Sequence, residues 1–509
     1  MKTIVMLTAL LLSTSVLADK VKKEAGQTGK YQDSVKAEQD WKKLDSRPIP
    51  TWWQDAKFGI FIHWGVYSVP SYAIKGTYSE WYWHNKDASP VKKKKKLRHE
   101  KTTEFHNTNY GEEKQYSEFA KDFTAEMFDA DHWANVFQEA GAKYVVLTSK
   151  HHDGYTLWPN KHASESFGMP WNSAEVGPKR DLLGELTDAV NKTDVKMGLY
   201  YSLWDWFNPV WEKNKDEYVD KVMLPQMYEV VEKYKPEVFF TDGDWIMHYD
   251  KWRSIEFLDW LTEESSVKDS IVFNDRWGKV RKNHGGYYTT EYGAGLADNS
   301  RPWEENRGIG FSFGFNRNET LSDYNSTQQL VLMLVDIVSR GGNFLLDIGP
   351  TADGRIPVIM EDRLIEMGKW MKVNGEAIYG TRMWKRDTQW SAGINPGFND
   401  SESFGDRRHG GYDVLAVTVN PEEGYAYKEL FFTQKGNDIY GMMPVWPASN
   451  KMTVKDINIS SDTQVSMLGV DGTLVFKKNK GGIEVTLPTL LPGKLPAEHV
   501  WTLKITNVK

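Results

Sequence analysis

The 509-residue chain is long enough for two or three domains and a large core, and with 26% charged and 40% apolar residues it has the composition of an ordinary soluble globular protein. A formal net charge of −7 argues against a nucleic-acid binder, which needs a basic face to meet phosphate. With no cysteine the chain has no disulfides, and a core this large does not need them. The 22 Trp, 24 Tyr and 22 Phe make 13% of the residues and many stand beside polar neighbours, a pattern suited either to an aromatic core or to stacking on the C–H faces of a sugar.

The chain opens MKTIVMLTALLLSTSVLADK. A basic Lys2, an apolar run from Ile4 to Leu12 too short to span a bilayer, and the small-residue pattern ending at Ala18 predict a secretory signal over residues 1–18. No later stretch is apolar over 18 residues, so no membrane span is expected. A secreted chain without cysteine points to a bacterial protein, periplasmic or released. Residues 19–50 are polar and Lys-rich and read as a solvated leader.

From residue 51 short apolar runs alternate with helical patterns. KFGIFIHWG (57–65) reads as a strand. Residues 85–117 carry a basic run, Lys92 to Lys96 with Arg98, which is a solvated loop or an anion-attracting rim. Trp133, Val136, Phe137 and Ala140 follow helical spacing and stop at Gly141. YVVLTSKHHDG (144–154) is the next strand, 181–192 a helix, and VKMGLYYSLWDW (195–206) a strand at its start. Leu224, Met227, Tyr228 and Val231 mark a helix with Pro225 in its first turn. PEVFFTDGDW (236–245), a helix at 252–263 and SIVFNDRWG (270–278) follow. GGYYTTEYG and FSFGFN each suggest a further short strand, and helix 326–340, strand NFLLDIG (343–349) and helix 361–373 complete the series.

Strands alternating with helices predict parallel β-α units, and some eight of them predict a (β/α)8 barrel over residues 51–385. A doubly wound open sheet is the alternative, but no Gly-rich phosphate loop follows the first strand. Residues 386–509 switch to short alternating runs separated by turns (DVLAVTVN, ELFFTQ, MTVKDINIS, TLVFKK, IEVTLP, VWTLKITNV) and predict an antiparallel β-sandwich.

A barrel places its chemistry at the C-terminal strand ends. There the sequence offers His63-Trp64, His151-His152, Tyr201 or Trp204, Asp242, and Asn274 to Trp277. The adjacent His151 and His152 have no partners at metal-ligand spacing and fit hydrogen-bonding to a hydroxylated ligand better. No G-x-S-x-G elbow is present. Carboxylates, His, Arg and aromatics remain, an inventory suited to glycoside hydrolysis, in which an ionised acid attacks or stabilises the anomeric carbon and a protonated one serves the leaving oxygen. Asp242, first after its strand, is the candidate nucleophile, and Asp244 the loop-shaping neighbour. Its partner is one of Glu80, Glu291, Glu304 and Glu305; Glu304 and Glu80 each adjoin a tryptophan, whose apolar bulk favours a neutral carboxyl.

Seven stretches in order, WWQDAKFGIFIHWGVYSVPSYA, EWYWHN, KYVVLTSKHHDGYTLWP, GLYYSLWDWFNP, FFTDGDW, IVFNDRWG and GGNFLLDIGPTADGRIP, resemble the α-L-fucosidases of glycoside hydrolase family 29. The closing PAEHVWTLKITNVK resembles the end of the animal tissue-type enzymes, and the resemblance runs from about Lys30 to the C-terminus. It implies a barrel with a C-terminal β-sandwich, a retaining mechanism and no metal; with the signal at 1–18, the expectation is a secreted, exo-acting enzyme that works by double displacement on a fucosylated glycan without a cofactor. Asp242 matches the family nucleophile. RPWEENRGIGFSFGF matches the stretch in which a W-E glutamate precedes F-S-W-G-Y, which makes Glu304 the first choice for acid/base and Glu291 in TTEYG the second. His63, Glu80, Trp81, His151, His152, Tyr201 and Arg276 match positions that hold the fucose hydroxyls and ring oxygen, Trp204 and Trp245 less closely. Phe313 and Phe315 depart from the Trp and Tyr of tissue-type members; Phe313 keeps an aromatic wall for the sugar methyl, and Phe315 loses a polar contact. A galactoside-type retaining glycosidase and a non-catalytic fucose binder on the same scaffold are the competing expectations.

Overall fold

The computed structural model describes residues 36–89, 93–279, 284–293, 301–394, 413–491 and 493–508. The expected signal at 1–18, the leader as far as residue 35, and Lys92 of the basic run lie outside the described residues. What is described of the leader is not simply solvated: residues 36–45 are helical, with Trp41 and Leu44 buried and Trp41 stacked on His284.

Eight parallel strands form one curled sheet: β1 Phe58–Ile62, β2 Tyr144–Lys150, β3 Lys196–Ser202, β4 Val238–Asp242, β5 Val272–Phe273, β6 Tyr288–Glu291, β7 Trp303–Gly308 and β8 Asn343–Ile348. They pair in the order β5-β4-β3-β2-β1-β8-β7-β6. Among the described residues the ends meet through one parallel bridge, Asn274 to Tyr287, with the Tyr287 amide donating to the Phe273 carbonyl at 3.1 Å. This is the expected (β/α)8 barrel with a thin seam between β5 and β6. At that seam Gly286 is obligatory, since a Cβ there would lie 1.6 Å from the Phe273 carbonyl oxygen.

The strands are buried on both faces, as parallel strands under helices must be. Tyr144, Val146, Tyr200, Phe240 and Leu345 fill the barrel interior. Val145, Leu147, Leu199, Phe239 and Leu346 face the helix layer, which includes helices Ala130–Glu139 and Leu224–Tyr234. One expectation fails here. FSFGFN is a loop, and β7 is the charged stretch WEENRG before it. Its polar side chains are buried because they have partners: Arg307 donates to Glu305 at 2.7 Å, and the Tyr144 hydroxyl to Glu304.

The C-terminal part is antiparallel. β9 Arg382–Trp390, β10 Lys428–Lys435, β11 Asp438–Met443, β13 Val465–Met467 and β16 Trp501–Ile505 make one sheet, and β12 Lys451–Lys455, β14 Phe476–Asn479 and β15 Gly482–Thr486 another. Leu430, Phe432 and Met443 of the first pack with Val454, Ile483 and Val485 of the second, which is the expected sandwich. Its first strand spans the boundary expected at 385/386. It docks on the barrel through the Lys428–Asp336 ion pair (2.5 Å) and the Trp370 indole N–H donating to the Val500 carbonyl at 2.9 Å. Among the described residues no helix is long and apolar enough to cross a membrane.

Candidate active site

A cavity of about 240 Å3 opens at the C-terminal end of the barrel, lined by Phe61, His63, Tyr78, Glu80, Trp81, His151, His152, Tyr200, Phe240, Asp242, Trp245, Arg276, Glu291, Asn306 and Phe313. It is smaller than the ~300–1,000 Å3 pockets that take drug-sized ligands, and so suits a single small ring.

Asp242 is the last residue of β4, opposite Ser202 of β3. Gly243 follows with φ +74°, a left-handed turn in which a Cβ would press against Ser202 and Trp204, so the chain leaves the strand at once and the carboxylate stays in the mouth. It accepts from Arg276 Nη1 at 2.7 Å and from the Tyr200 hydroxyl at 3.2 Å, with His152 Nε2 at 3.6 Å. The other arm of the same guanidinium reaches Glu291 Oε2 at 3.3 Å, and the Tyr78 hydroxyl donates to Glu291 at 2.8 Å. Arg276 is 4% exposed and its guanidinium lies over the Phe240 ring. Burial alone would lower its pKa; Asp242 and Glu291 outweigh that and raise it, so it is a fixed cation.

Around this pair stand neutral donors and acceptors. Glu80 accepts from the Gly314 amide at 2.9 Å, and burial pushes its carboxyl up to about 8. Burial pulls His63, His151 and His152 well below the usual imidazole range. The Ser202 hydroxyl donates to the Trp204 carbonyl (2.6 Å), so its contact with His152 Nδ1 (2.6 Å) must be a bond received from Nδ1–H. That leaves His152 Nε2 an acceptor. Phe61, Phe240 and Phe313 give one apolar wall, and Trp81 and Trp245 another. Asp244 shapes the loop: its carboxylate accepts from the Gly278 amide and its carbonyl from the Trp252 indole.

Of the residues expected at the site, Asp242, His63, Glu80, Trp81, His151, His152, Arg276 and Phe313 converge on the cavity, as do Glu291 and Trp245. Tyr201 does not. Its hydroxyl donates to Gln226 in the helix layer and its ring lies under Lys150, while the inward residue of β3 is Tyr200. The strand is buried on both faces, so alternation could not tell the two tyrosines apart. Glu304 is also absent from the lining. It lies two residues before Asn306 on β7, one inward layer deeper, against Tyr144 and Tyr287, where burial pushes its carboxyl up to about 8. Trp204 and Phe315 lie outside the lining, and Phe61, Tyr78, Phe240 and Asn306 are lining residues that the sequence reading did not name.

Comparison with known proteins agrees with this architecture. The alpha-L-fucosidase family model matches residues 25–376, and the model of the alpha-L-fucosidase C-terminal domain matches residues 425–506. The chain is 37% identical to the tissue alpha-L-fucosidase of Homo sapiens over 92% of each chain. It is 40% identical to the alpha-L-fucosidase of Branchiostoma floridae, over 92% of this chain and 95% of that one. The crystal structure of Thermotoga maritima alpha-fucosidase in complex with a mechanism-based inhibitor superposes with a TM-score of 0.72 at 33% identity, covering 92% of this chain and 99% of that one. With the barrel, the sandwich and both family models in agreement, the chain belongs to the alpha-L-fucosidase family of glycoside hydrolases.

Proposed function

We propose that the protein is a secreted, exo-acting, retaining α-L-fucosidase that removes terminal fucose from a glycan through a covalent fucosyl-enzyme. The observation that carries this reading is the single Arg276 guanidinium joining two acids, Asp242 and Glu291, in an aromatic pocket. Double displacement needs two acids at one anomeric centre, one to attack and one to serve the leaving oxygen, and a shared guanidinium supports that pairing.

Asp242, oriented by Arg276 and Tyr200, attacks the anomeric carbon as Glu291 protonates the leaving oxygen. Glu291 then takes a proton from water, and that water displaces Asp242 by attacking opposite it, from the face the leaving group vacated, so two inversions retain configuration. Glu80 and the three histidines bond the hydroxyls, and the Phe61, Phe240 and Phe313 wall receives the apolar methyl corner of a 6-deoxy sugar. Glu291 takes precedence over Glu304 as acid/base because it faces the cavity beside Asp242, whereas Glu304 bonds a tyrosine one layer below.

Kinetics on aryl α-L-fucosides test the assignment. Asp242→Gly loses turnover, and azide restores it with formation of a β-fucosyl azide; wild-type activity in that variant would sink the nucleophile. Glu291→Ala loses far more activity on a poor leaving group than on a good one, and Glu304→Ala shows no such difference. The reverse pattern would return the role to Glu304. Faster cleavage of an aryl galactoside than of the fucoside would replace the substrate class. Secretion rests on the signal read at residues 1–18, and a released protein beginning at Asp19 is the expected N-terminus.

A further inference from the structure

We propose that Asp347 is a positioning residue for substrate recognition: set beneath His63, it fixes the imidazole ring and its tautomer, so that Nε2 presents an N–H to a sugar hydroxyl. This deepens the fucose-site reading above and rests on it.

His63 follows β1 directly and Asp347 lies on the neighbouring β8, where it is registered with Phe61. The sheet therefore puts the Asp347 side chain one inward layer below the imidazole. Asp347 Oδ1 lies 2.6 Å from His63 Nδ1, with the two side chains 0% and 5% exposed. The ring cannot turn away. Phe313 stacks on one face at 4.8 Å and 18°, and Phe61 meets it edge-on at 4.7 Å. With Nδ1 taken from below, Nε2 is the nitrogen left for the cavity.

The direction of the proton follows from what surrounds the acid. Its second oxygen, Oδ2, is buried without a hydrogen-bond partner, a costly place for a full negative charge. Among the described residues no cation pairs with it: the charged and titratable groups nearby are Glu80, Tyr67 and Tyr292, with His151, Asp242 and Arg276 facing His63. Burial, then Glu80, pushes Asp347 well above the usual carboxylate range, and burial pulls His63 down. Both partners are thus neutral, Asp347 donates Oδ1–H to Nδ1, and the ring proton sits on Nε2. His63 and His152 then do opposite work in one pocket, the first donating through Nε2 and the second accepting through it.

The test uses the full chain. In 15N-histidine-labelled protein, long-range proton–nitrogen correlations, with the His63 signal identified by its absence in His63→Gln, should show the Nε2–H tautomer. An Nδ1–H tautomer overturns the proposal. Asp347→Asn keeps a donor toward Nδ1 and should stay within about threefold of wild-type kcat/KM on an aryl α-L-fucoside. Asp347→Leu removes the donor and should lose about 10- to 100-fold, with weaker L-fucose binding by calorimetry. Wild-type kinetics in the leucine variant, or equal damage in both, overturns the proposal. If the leucine variant does not fold, the tautomer and the asparagine variant decide. A wild type that binds L-fucose without cleaving the fucoside removes the catalytic reading alone, and L-fucose affinity in the two variants then decides between the same outcomes. A wild type that does neither overturns both.

Discussion

Replacing Lys150 with methionine tests how firmly the pocket is braced from behind. Lys150 ends β2, immediately before His151 and His152. Its ammonium lies 2.6 Å from Asp205 Oδ1, with the two side chains 0% and 2% exposed, and it also donates to the Tyr218 hydroxyl at 3.2 Å and sits 4.1 Å from the Tyr201 ring centre. Asp205 belongs to the next loop of the mouth, where the Trp206 amide donates to the His152 carbonyl at 2.6 Å. Methionine preserves the aliphatic stem and removes the charge, leaving a buried carboxylate with the Asn208 amide but no cation. Breaking a buried pair in this way costs about 3–5 kcal/mol. Burial already raises the Asp205 pKa, and without the lysine the folded state takes up a proton that the unfolded state releases near pH 4. The folded state then binds more protons than the unfolded one above that pH, so stability falls as pH rises, by about 1.4 kcal/mol per unit until the folded carboxyl ionises. Urea unfolding followed by tryptophan fluorescence should show a large deficit for Lys150→Met at pH 8 and a smaller one at pH 5. Lys150→Met with Asp205→Leu should recover most of the loss, since no buried charge remains. A single variant within about 1 kcal/mol of wild type at both pH values, or a double variant no better than the single, would refute the reasoning.

Two further substitutions separate the inner barrel from the chemistry. Glu304 keeps its proton to about pH 8 in the folded state and loses it near 4.5 when unfolded, so this group alone should lower wild-type stability by up to ~4 kcal/mol between pH 5 and 8, beside like contributions from buried acids such as Glu80. Glu304→Gln should show a shallower fall than wild type over that range and be the more stable protein at pH 8 in urea titrations; parallel profiles would contradict it. Gly286→Ala drives a Cβ onto the Phe273 carbonyl at the seam and should cost about 3 kcal/mol or more, lowering both the melting temperature and kcat/KM because the seam holds Arg276 against Glu291. An alanine variant that melts with wild type would show that the seam yields easily.

Much of this protein was readable from its residues. Short apolar runs ending in His63, His151-His152, Asp242 and Arg276 announced parallel strands with polar side chains at one end, and the change to alternating runs announced the sandwich. That worked because hydrophobic burial is local in sequence for a β-α unit: each strand is apolar on both faces and must stop where the mouth begins. The same two-sided burial hid which face a residue takes. Tyr200 and Tyr201 are equivalent in composition and environment class, and only the register of β3 against β2 and β4 sends Tyr200 into the pocket and Tyr201 toward Gln226. β7 was illegible for the converse reason. WEENRG has no apolar pattern, because its glutamates are satisfied by Tyr144, Thr290 and Arg307, partners contributed largely by other strands. The ranking of Glu304 and Glu291 turned on that strand. Their order along the chain says nothing of depth, and the staggering of β6 against β7, which pairs Glu291 with Asn306 and leaves Glu304 a layer below, is a property of the closed barrel alone.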